Sequence, residues 1–260
     1  KMLELAHQQY GRLPWHELFK DAINLAQDGF KVSPLLHRFL KDQNDLNNWP
    51  QKTARNYFYP NGQALAIDTV RKNKKLAKTF RKIAKNGSKI FYEGKIAKNI
   101  VKTVQKSKRH PGLLSLADLK NYQSKERPAV CANYRTYNVC GMGPPTSGGL
   151  TVLQILSILN NFNLSYNHSF NERNAHIYTQ AAKLAYADRE KYIADADFIN
   201  VPVDQLLDRK YLKKRSRLIR KNDMGEAKPG TIKTAQQLSS ANSPEINSTS
   251  HFSIIDQYGN

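Results

Sequence analysis

The stretch TSHFSIIDQYGN, residues 249–260, places hydroxyl side chains and a histidine immediately before an alternating apolar segment. Apolar and polar residues alternate from Phe252 to Asp256, and Tyr-Gly-Asn follows, which predicts a strand that stops in a turn. Residues 221–248, just upstream, are polar and broken by Gly and Pro, which indicates an exposed linker. The sequence therefore predicts a strand that begins where a linker ends.

Thr249 stands at that junction and is a candidate nucleophile. If the Ser248–Thr249 peptide bond is cut, the new α-amino group lies beside the threonine hydroxyl and can act as the base that activates it. His251 is a weaker candidate, for strand packing or for support of the nucleophile. The pattern alone also fits an ordinary Ser- and Thr-rich loop that enters a strand, so both interpretations stay open.

The composition sets limits on the class of protein. The chain has 260 residues, of which 40% are hydrophobic, enough for one large core or two small ones. No segment resembles a membrane span, and the first residues lack a targeting signal. Lys1–Leu5 open inside a helical pattern without a cap, so we expect the natural chain to start further upstream. Zinc-type spacing and nucleotide-binding glycine loops are missing, so we expect no metal and no cofactor.

The formal net charge of +20 is large, and much of it lies in residues 71–85 and 213–221. Such a field attracts polyanions without regard to their sequence. In 71–85, however, Leu76, Phe80 and Ile83 fall at helical spacing and leave the lysines outward. Because no nucleic-acid fold signature accompanies the charge, the solvated-face interpretation is favoured and no nucleic-acid partner is expected.

Several helix ends are visible in the first half of the chain. Gly29 is a plausible stop for the helix over 13–28, and Ser33-Pro34 is a typical start for the next. Ser115, with Asp118 three residues on, forms a capping-box variant. These signals predict packing elements and carry no chemistry.

Two β-favouring runs flank Arg135-Thr136, which predicts a tight hairpin. Its register places Cys131 opposite Cys140 at a non-hydrogen-bonded pair, where the Cα separation of about 4.5 Å lies at the short end of the disulfide range. A cross-strand disulfide and two buried thiols are equally compatible with this register.

Two further clusters follow the hairpin. Pro144–Gly149 leads into an apolar helix, and its hydroxyls and glycines fit either an anion site at the helix N-terminus or a serine cap with a close-packed glycine turn. The strained G-x-S-x-G elbow is missing, which argues against Ser147 as a nucleophile. Asp188-Arg189, near the end of a long helix predicted over 171–198, fits a catalytic or substrate-binding pair, but an internal salt link or cap contact is the commoner case.

Residues 249–260 resemble the opening of the small subunit of γ-glutamyltranspeptidases. The stretch PPTSGGLTVLQILSIL, 144–159, resembles the Pro-Pro-Ser-Ser-Gly-Gly stretch of that family, and YADREKYIADADF, 186–198, resembles its Tyr-Ala-Asp-Arg segment. Residues 10–33 match the pattern of its large-subunit helices. Three motifs in the family's order favour the interpretation of Thr249 as the nucleophile.

The resemblance implies an α+β fold, the αββα sandwich of N-terminal nucleophile hydrolases, of which this chain covers mainly the helical large-subunit part. It divides the chain into a helical and hairpin region over 1–220, a linker over 221–248 and the first strand of the small subunit over 249–260. The implied scissile bond is Ser248–Thr249, and the implied nucleophile is Thr249.

The resemblance also implies an activity. A precursor cuts itself, its two subunits stay together as a heterodimer, and the threonine transfers γ-glutamyl groups from glutathione and related compounds to water, amino acids or dipeptides. A periplasmic or secreted location is implied as well. The family's substrate-gripping arginine, oxyanion glycines and glutamyl-binding residues fall outside this stretch, so no substrate-binding residue is assigned and we expect the segment alone to be inactive.

Two alternatives remain open at this point. One is a related acylase with the same self-cutting threonine that acts on another amide, such as poly-γ-glutamate or a β-lactam side chain. The other is a basic polyanion-binding protein that has lost catalysis, which steeply salt-dependent binding to heparin or DNA would favour.

Overall fold

The computed structural model of the chain describes residues 1–43, 51–108, 110–164, 171–232 and 252–259. These residues are mainly helical, with two short antiparallel strand pairs. They form two compact units, Lys1–Lys125 and Glu126–Asn260. The division falls inside the range 1–220, which the sequence led us to treat as one region; the three predicted ranges stay predictions.

In the described residues 1–43, 51–108 and 110–125, the first unit consists of short helices and one small strand pair. The strands are β1 (Phe30–Lys31) and β2 (Val70–Arg71). The helices are α1 (Met2–Tyr10), α2 (Lys20–Asp28), α3 (Pro34–Asp42), α4 (Lys52–Phe58), α5 (Lys74–Asn86), α6 (Lys89–Tyr92), α7 (Gly94–Gln105) and α8 (Leu116–Asn121).

The predicted helix ends of this unit are confirmed. Helix α2 begins at Lys20, later than the predicted helix over 13–28, and ends at Asp28; Gly29 follows it with a φ of 95°, in the left-handed region that glycine tolerates. The Ser33 side chain accepts a hydrogen bond from the Leu36 N–H at the start of α3. Ser115 and Asp118 form both bonds of a capping box on α8. Local side-chain chemistry therefore fixes where these helices begin and end.

Helix α5 turns its lysines outward as predicted, but its buried line differs from the expected one. Ala77 is fully buried, whereas Phe80 and Ile83 are half-buried and Leu76 is 40% exposed. Helix α2, which packs against α5, likewise buries an alanine, Ala26. The larger Leu76 lies at the margin because small side chains occupy the most buried positions of both helices.

Among the residues that the structure describes, the second unit contains a hairpin followed by four helices. The hairpin consists of β3 (Ala129–Tyr134) and β4 (Tyr137–Met142). The helices are α9 (Gly148–Leu159), α10 (Glu172–Tyr192), α11 (Val203–Leu206) and α12 (Arg209–Ser216). Its main core joins apolar side chains of α9, α10 and α12, among them Ile158, Leu184 and Leu212.

The hairpin register is confirmed at every pair, from Tyr134 opposite Tyr137 to Cys131 opposite Cys140. Arg135, at the turn, has a φ of 55°, as two-residue hairpin turns require. The two cysteines form a disulfide across the strands, with a Cα separation of 4.1 Å. Of the two interpretations left open by the sequence, the bridged one is therefore realised.

Helix α10 is shorter than predicted, because it ends at Tyr192 and not at Phe198. Its buried seam includes Ala181 and Ala185, whereas Tyr178 is 55% exposed. Ile177, which neighbours Tyr178, takes the inward position, since Ile177 and Ala181 lie one helical turn apart.

The predicted strand over 252–256 is wrong: described residues 252–259 contain no strand. Phe252, Ile254 and Ile255 are 76–83% exposed. A strand requires ladder hydrogen bonds to a neighbour, and this segment has none among the residues that the structure describes. The predicted turn is present, closed by a 3.0 Å hydrogen bond from the Gly259 N–H to the Asp256 carbonyl.

The start of α9 packs directly on the backbone of β4. A Cβ added at Gly149 would lie 2.8 Å from the Met142 nitrogen and 2.9 Å from the Gly141 carbonyl carbon, whereas one added at Gly148 would meet nothing within 4 Å. The close-packed glycine turn anticipated from the sequence is thus formed at one glycine of the pair.

Substituting each of the two glycines tests this contact. Gly149→Ala should lower the free energy of unfolding by about 1–3 kcal/mol, the usual cost of overpacking. The matched control, Gly148→Ala, should be neutral or slightly stabilising, because alanine favours a helix over glycine. Urea denaturation of the complete protein measures both, and equal effects of the two substitutions would contradict the assigned contact.

Candidate functional site

The three residues predicted to carry out the cleavage, Ser248, Thr249 and His251, lie outside the described residues. Their roles therefore stay predictions. What the structure does describe is the segment that leads toward them, residues 221–232, and helix α10, which holds that segment. It also describes the second hydroxyl cluster, Pro144–Gly149, at the start of α9.

The centre of the arrangement is Asp188, a carboxylate that is only 1% exposed. Its Oδ1 accepts from the Gly230 N–H at 2.8 Å and forms an ion pair with the Arg215 guanidinium at 3.0 Å. Its Oδ2 accepts from the Tyr211 hydroxyl at 2.7 Å and lies 3.4 Å from the Gln154 amide nitrogen. Four groups, from α9, α12 and the segment after α12, therefore converge on one side chain.

These contacts offset part of the free-energy cost of burying the charges of Asp188 and Arg215. Removing a carboxylate and a guanidinium from water costs several kcal/mol per ion, which an ion pair offsets only when further hydrogen bonds satisfy both groups. Arg215, 4% exposed, also donates from its terminal nitrogen to the Leu184 carbonyl at 2.9 Å, whereas its buried Nε has no hydrogen-bond partner among the described residues. Burial, with the nearby negative charge of Asp188, raises the pKa of Tyr211, so its hydroxyl remains a protonated donor.

Asp188 and Arg189, considered together from the sequence, point to different partners. The internal salt link is confirmed for Asp188, but the partner is Arg215. Arg189 instead donates from Nε to the Ser147 Oγ at 3.0 Å, contacts the Glu190 carboxylate and lies 5.6 Å from the centre of the Tyr186 ring. The two residues therefore do not act as one pair.

Ser147 does not cap α9, so the serine-cap interpretation is wrong. No side-chain cap hydrogen bond is present at that helix start. The Ser147 hydroxyl accepts from Arg189 instead, and its carbonyl accepts from the Thr151 hydroxyl at 2.8 Å. The anion-site interpretation of this turn stays a prediction.

The segment after α12 is fixed to the side of α10 at its start. The Asp223 carboxylate accepts from Gln180 at 2.7 Å and from Lys183 at 2.6 Å. Gln180 in turn accepts from the Met224 N–H at 2.9 Å, and Lys183 donates to the Gly225 carbonyl at 3.1 Å. This segment is largely exposed, as predicted for a linker, yet α10 determines its path.

A second attachment lies one and a half turns further along the helix. The Gly230 N–H donates to Asp188, and the Gly230 carbonyl accepts from the Tyr192 hydroxyl at 2.5 Å. The Ile232 N–H lies 3.3 Å from the same hydroxyl. Side chains of α10 thus hold the chain at two points before it continues toward residue 249.

The hydrogen bonds from Lys183 and Gln180 lower the pKa of Asp223 to about 2. A lowered pKa stabilises the folded form above the ordinary value of about 3.9, and that contribution is lost as the pH falls toward the lowered one. The first attachment of the segment is therefore complete at neutral and mildly acidic pH.

The spacing of apolar residues around Arg215 indicates that this side chain is buried, although the many basic residues beside it suggest a surface position. Arg215 stands in a run of basic residues, which suggested a surface charge. Leu212, Arg215 and Ile219 nevertheless follow an i, i+3, i+7 pattern, which places Arg215 on the buried face. Its partner Asp188 lies four residues after the buried Leu184 and shares its face of α10.

Within residues 1–43, 51–108, 110–164, 171–232 and 252–259, no group of three or more His, Cys, Asp or Glu side chains could hold a metal ion. Among the helices of those ranges, none combines the length and apolar character needed to cross a bilayer.

Comparison with known proteins gives one family. The family model for gamma-glutamyltranspeptidase matches residues 1–260. The chain is 35% identical to the glutathione hydrolase proenzyme of Escherichia coli K12 over 98% of this chain and 43% of that protein. It is 33% identical to the capsule biosynthesis protein CapD proenzyme of Bacillus anthracis over 99% of this chain and 43% of that protein. The chain thus spans less than half the length of these relatives.

A solved structure agrees with the sequence comparison. The gamma-glutamyltranspeptidase of Helicobacter pylori superposes with a TM-score of 0.80 at 32% identity, covering 91% of this chain and 68% of that chain. This likeness confirms the predicted fold class, the mainly helical part of an N-terminal nucleophile hydrolase.

Removing one charge of the buried pair tests the role of Asp188. Asp188→Ala leaves Arg215 buried without its carboxylate and should lower the free energy of unfolding by about 3–5 kcal/mol. Glu190→Ala, two residues on in the same helix, removes an exposed carboxylate and should change it by less than about 1 kcal/mol. Denaturant titration of the complete protein measures both, and a cost below 1 kcal/mol for Asp188→Ala would contradict the network.

Proposed function

The chain belongs to the gamma-glutamyltranspeptidase family, and from that membership we propose that the complete protein is a self-cleaving γ-glutamyl transferase and glutathione hydrolase. The observation that carries the proposal is the extent of the family match, which runs through Thr249 and the residues after it. The names of the relatives add support, because they are called proenzymes, a term for proteins that mature by cleavage.

In the proposed maturation, the Thr249 hydroxyl attacks the carbonyl carbon of Ser248. The peptide C–N bond breaks as the nitrogen takes a proton, and an ester joins the two residues. Water then hydrolyses the ester and leaves a carboxylate on Ser248 and a free α-amino group on Thr249. A threonine suits this step because one residue supplies both the hydroxyl and the amine.

In the proposed turnover, the new amine accepts the proton of the Thr249 hydroxyl as the oxygen attacks the γ-glutamyl carbonyl. The leaving amine receives a proton, and a γ-glutamyl ester of Thr249 forms. Water or the amino group of an acceptor amino acid or dipeptide then attacks this ester. Donors aimed at the oxygen of the tetrahedral intermediate are needed in both half-reactions. His251 supports the nucleophile without acting as its base.

The described structure contributes the start of the path to the cleavage site. Asp223 and Gly230 are held by side chains of α10, so the chain enters residues 233–248 from a defined point. After cleavage, the same attachments keep the new carboxyl-terminal segment on the large subunit, in keeping with two subunits that stay together as a heterodimer.

The proposed location is periplasmic or secreted. The Cys131–Cys140 disulfide supports it, because disulfides form and persist in oxidising compartments and are rare in reducing ones. The proposed partners are glutathione, other γ-glutamyl compounds and acceptor amino acids or dipeptides.

A second candidate is an acylase of the same family that acts on a different amide, such as poly-γ-glutamate or a β-lactam side chain. It is supported by the acylase ACY 1 proenzyme of Pseudomonas sp. SE83, to which this chain is 32% identical over 97% of its length and 43% of that protein. Both candidates share the maturation step and differ in the acyl group that Thr249 accepts.

Substitution of the nucleophile tests the cleavage and the chemistry together. Thr249→Ala in the complete protein should leave one uncut chain without γ-glutamyl transfer. Thr249→Ser should still cut, more slowly, because it keeps the hydroxyl while losing the methyl that restricts χ1. His251→Ala should reduce activity and leave the cut intact. Gel electrophoresis and release of glutamate from glutathione provide the readouts; a two-chain product from Thr249→Ala would exclude this nucleophile.

The substrate test separates the two candidates. The matured protein should release glutamate from glutathione at a rate well above that for poly-γ-glutamate or a glutaryl β-lactam. Cleavage of the precursor, with turnover of one of those two substrates and none of glutathione, would favour the acylase. An uncut chain without any turnover, which binds heparin with a steep salt dependence, would favour the catalytically lost polyanion binder.

A further inference from the structure

The outward face of α5 carries a cationic row that the proposed activity does not use. Its members, here called the α5 stripe, are Lys74, Lys75, Lys78, Arg81, Lys82 and Lys85, and all six are exposed. At 3.6 residues per turn they project within an arc of about 120°, and the helix is about 20 Å long. The buried Ala77 lies outside this arc, next to its edge at Arg81.

The α5 stripe is electrostatically unfavourable for the helix that carries it. Lys74 with Lys78, and Lys78 with Lys82, are like charges four residues apart, a spacing at which like charges destabilise a helix. The first turn contains two lysines and no acidic residue, although the positive end of the helix dipole favours anions there. Among the described residues, the hydrogen-bond partner of Arg81 is the neutral Gln27, at 2.7 Å.

No carboxylate relieves this repulsion in the part of the chain that the structure describes. None of the six stripe residues forms an ion pair there. The surrounding sequence has few carboxylates to offer: residues 69–117 contain 15 Lys and Arg but only one acidic residue, Glu93. A helix whose unfavourable like charges are not neutralised by other residues of the protein is expected to bind a partner of opposite charge.

We propose that the α5 stripe is a docking surface for an anionic phospholipid bilayer. A row of lysines on the outer face of an amphipathic helix is the arrangement that recognises negatively charged lipid surfaces. The apolar side of α5 packs within its own unit, against α2, so the contact is electrostatic adsorption without insertion of the helix. Helix α7 repeats the arrangement with exposed Lys95, Lys98 and Lys102.

A recess beside the stripe suits a lipid headgroup. A pocket of ≈ 630 Å³ between α2 and α5 is lined by Lys20, Arg81 and Lys85. Glu17 also lines the pocket and lies 3.3 Å from His16, so the lining contains three cations and one carboxylate. A phosphate group entering this recess would be met by positive charge on both helices.

Nucleic acid fits the stripe less well. Five of the six side chains are lysines, whose ammonium groups lack the planar fork with which arginine binds phosphate and base edges. The stripe contains no aromatic side chain on which an unpaired base could stack. The stripe therefore suits a uniform anionic surface better than the recognition of a base sequence. Binding to duplex DNA is measured as the alternative result in the experiment below.

The experiment is a vesicle sedimentation assay on the complete protein. It should bind phosphatidylcholine vesicles that contain phosphatidylglycerol, and lose binding with rising salt or when phosphatidylglycerol is omitted. Lys75→Ala/Lys78→Ala/Lys82→Ala should weaken binding by about 100-fold, since each lysine near a charged bilayer contributes roughly a factor of five. Removing like-charge repulsion should also raise the melting temperature of this variant at low salt.

The matched control is Lys210→Ala/Lys213→Ala/Lys214→Ala, which removes the same net charge from exposed positions of α12. It should change vesicle binding by less than about fivefold. An equal loss of vesicle binding in both triple variants would show that binding depends on the overall positive charge and not on the α5 stripe. That result would overturn the proposal. Binding to duplex DNA in preference to the charged vesicles, or equal binding to neutral vesicles, would overturn it as well.

Discussion

The second unit depends on a buried carboxylate that must be fully paired. Asp188 is almost inaccessible to water, and an unpaired charge at that position would be destabilising by several kcal/mol. Its partners come from α9, α12 and the segment after α12, so the three parts cannot take other positions without breaking the pairing. The apolar core holds these elements together, and the carboxylate selects one arrangement of them.

This constraint links folding to the proposed chemistry. The same carboxylate that pairs with Arg215 accepts a hydrogen bond from Gly230, in the segment that continues toward Thr249. In a self-cleaving precursor the position of the scissile bond must be fixed, because an intramolecular attack requires the hydroxyl and the carbonyl to be aligned. Helix α10 fixes the path of residues 223–230, the described part of the segment that continues toward that bond.

The sequence predicted the features that depend on neighbouring residues. Helix ends at Gly29 and Ser115 and the pairing of Cys131 with Cys140 follow from short-range rules, and all three are present. It did not predict the partner of Asp188, because Arg215 lies 27 positions away and belongs to a run of basic residues that suggested solvent. The strand over 252–256 failed for a related reason, since alternation indicates a strand but cannot supply the neighbour that a strand requires.

The central claim is that Thr249 becomes a chain terminus. Amino-terminal sequencing of the smaller product, from the complete protein purified without added protease, tests it most directly. The account predicts a sequence that begins Thr-Ser-His-Phe, the four residues from Thr249 to Phe252. A small product that begins at any other residue, or a purified protein that remains a single chain, would contradict it.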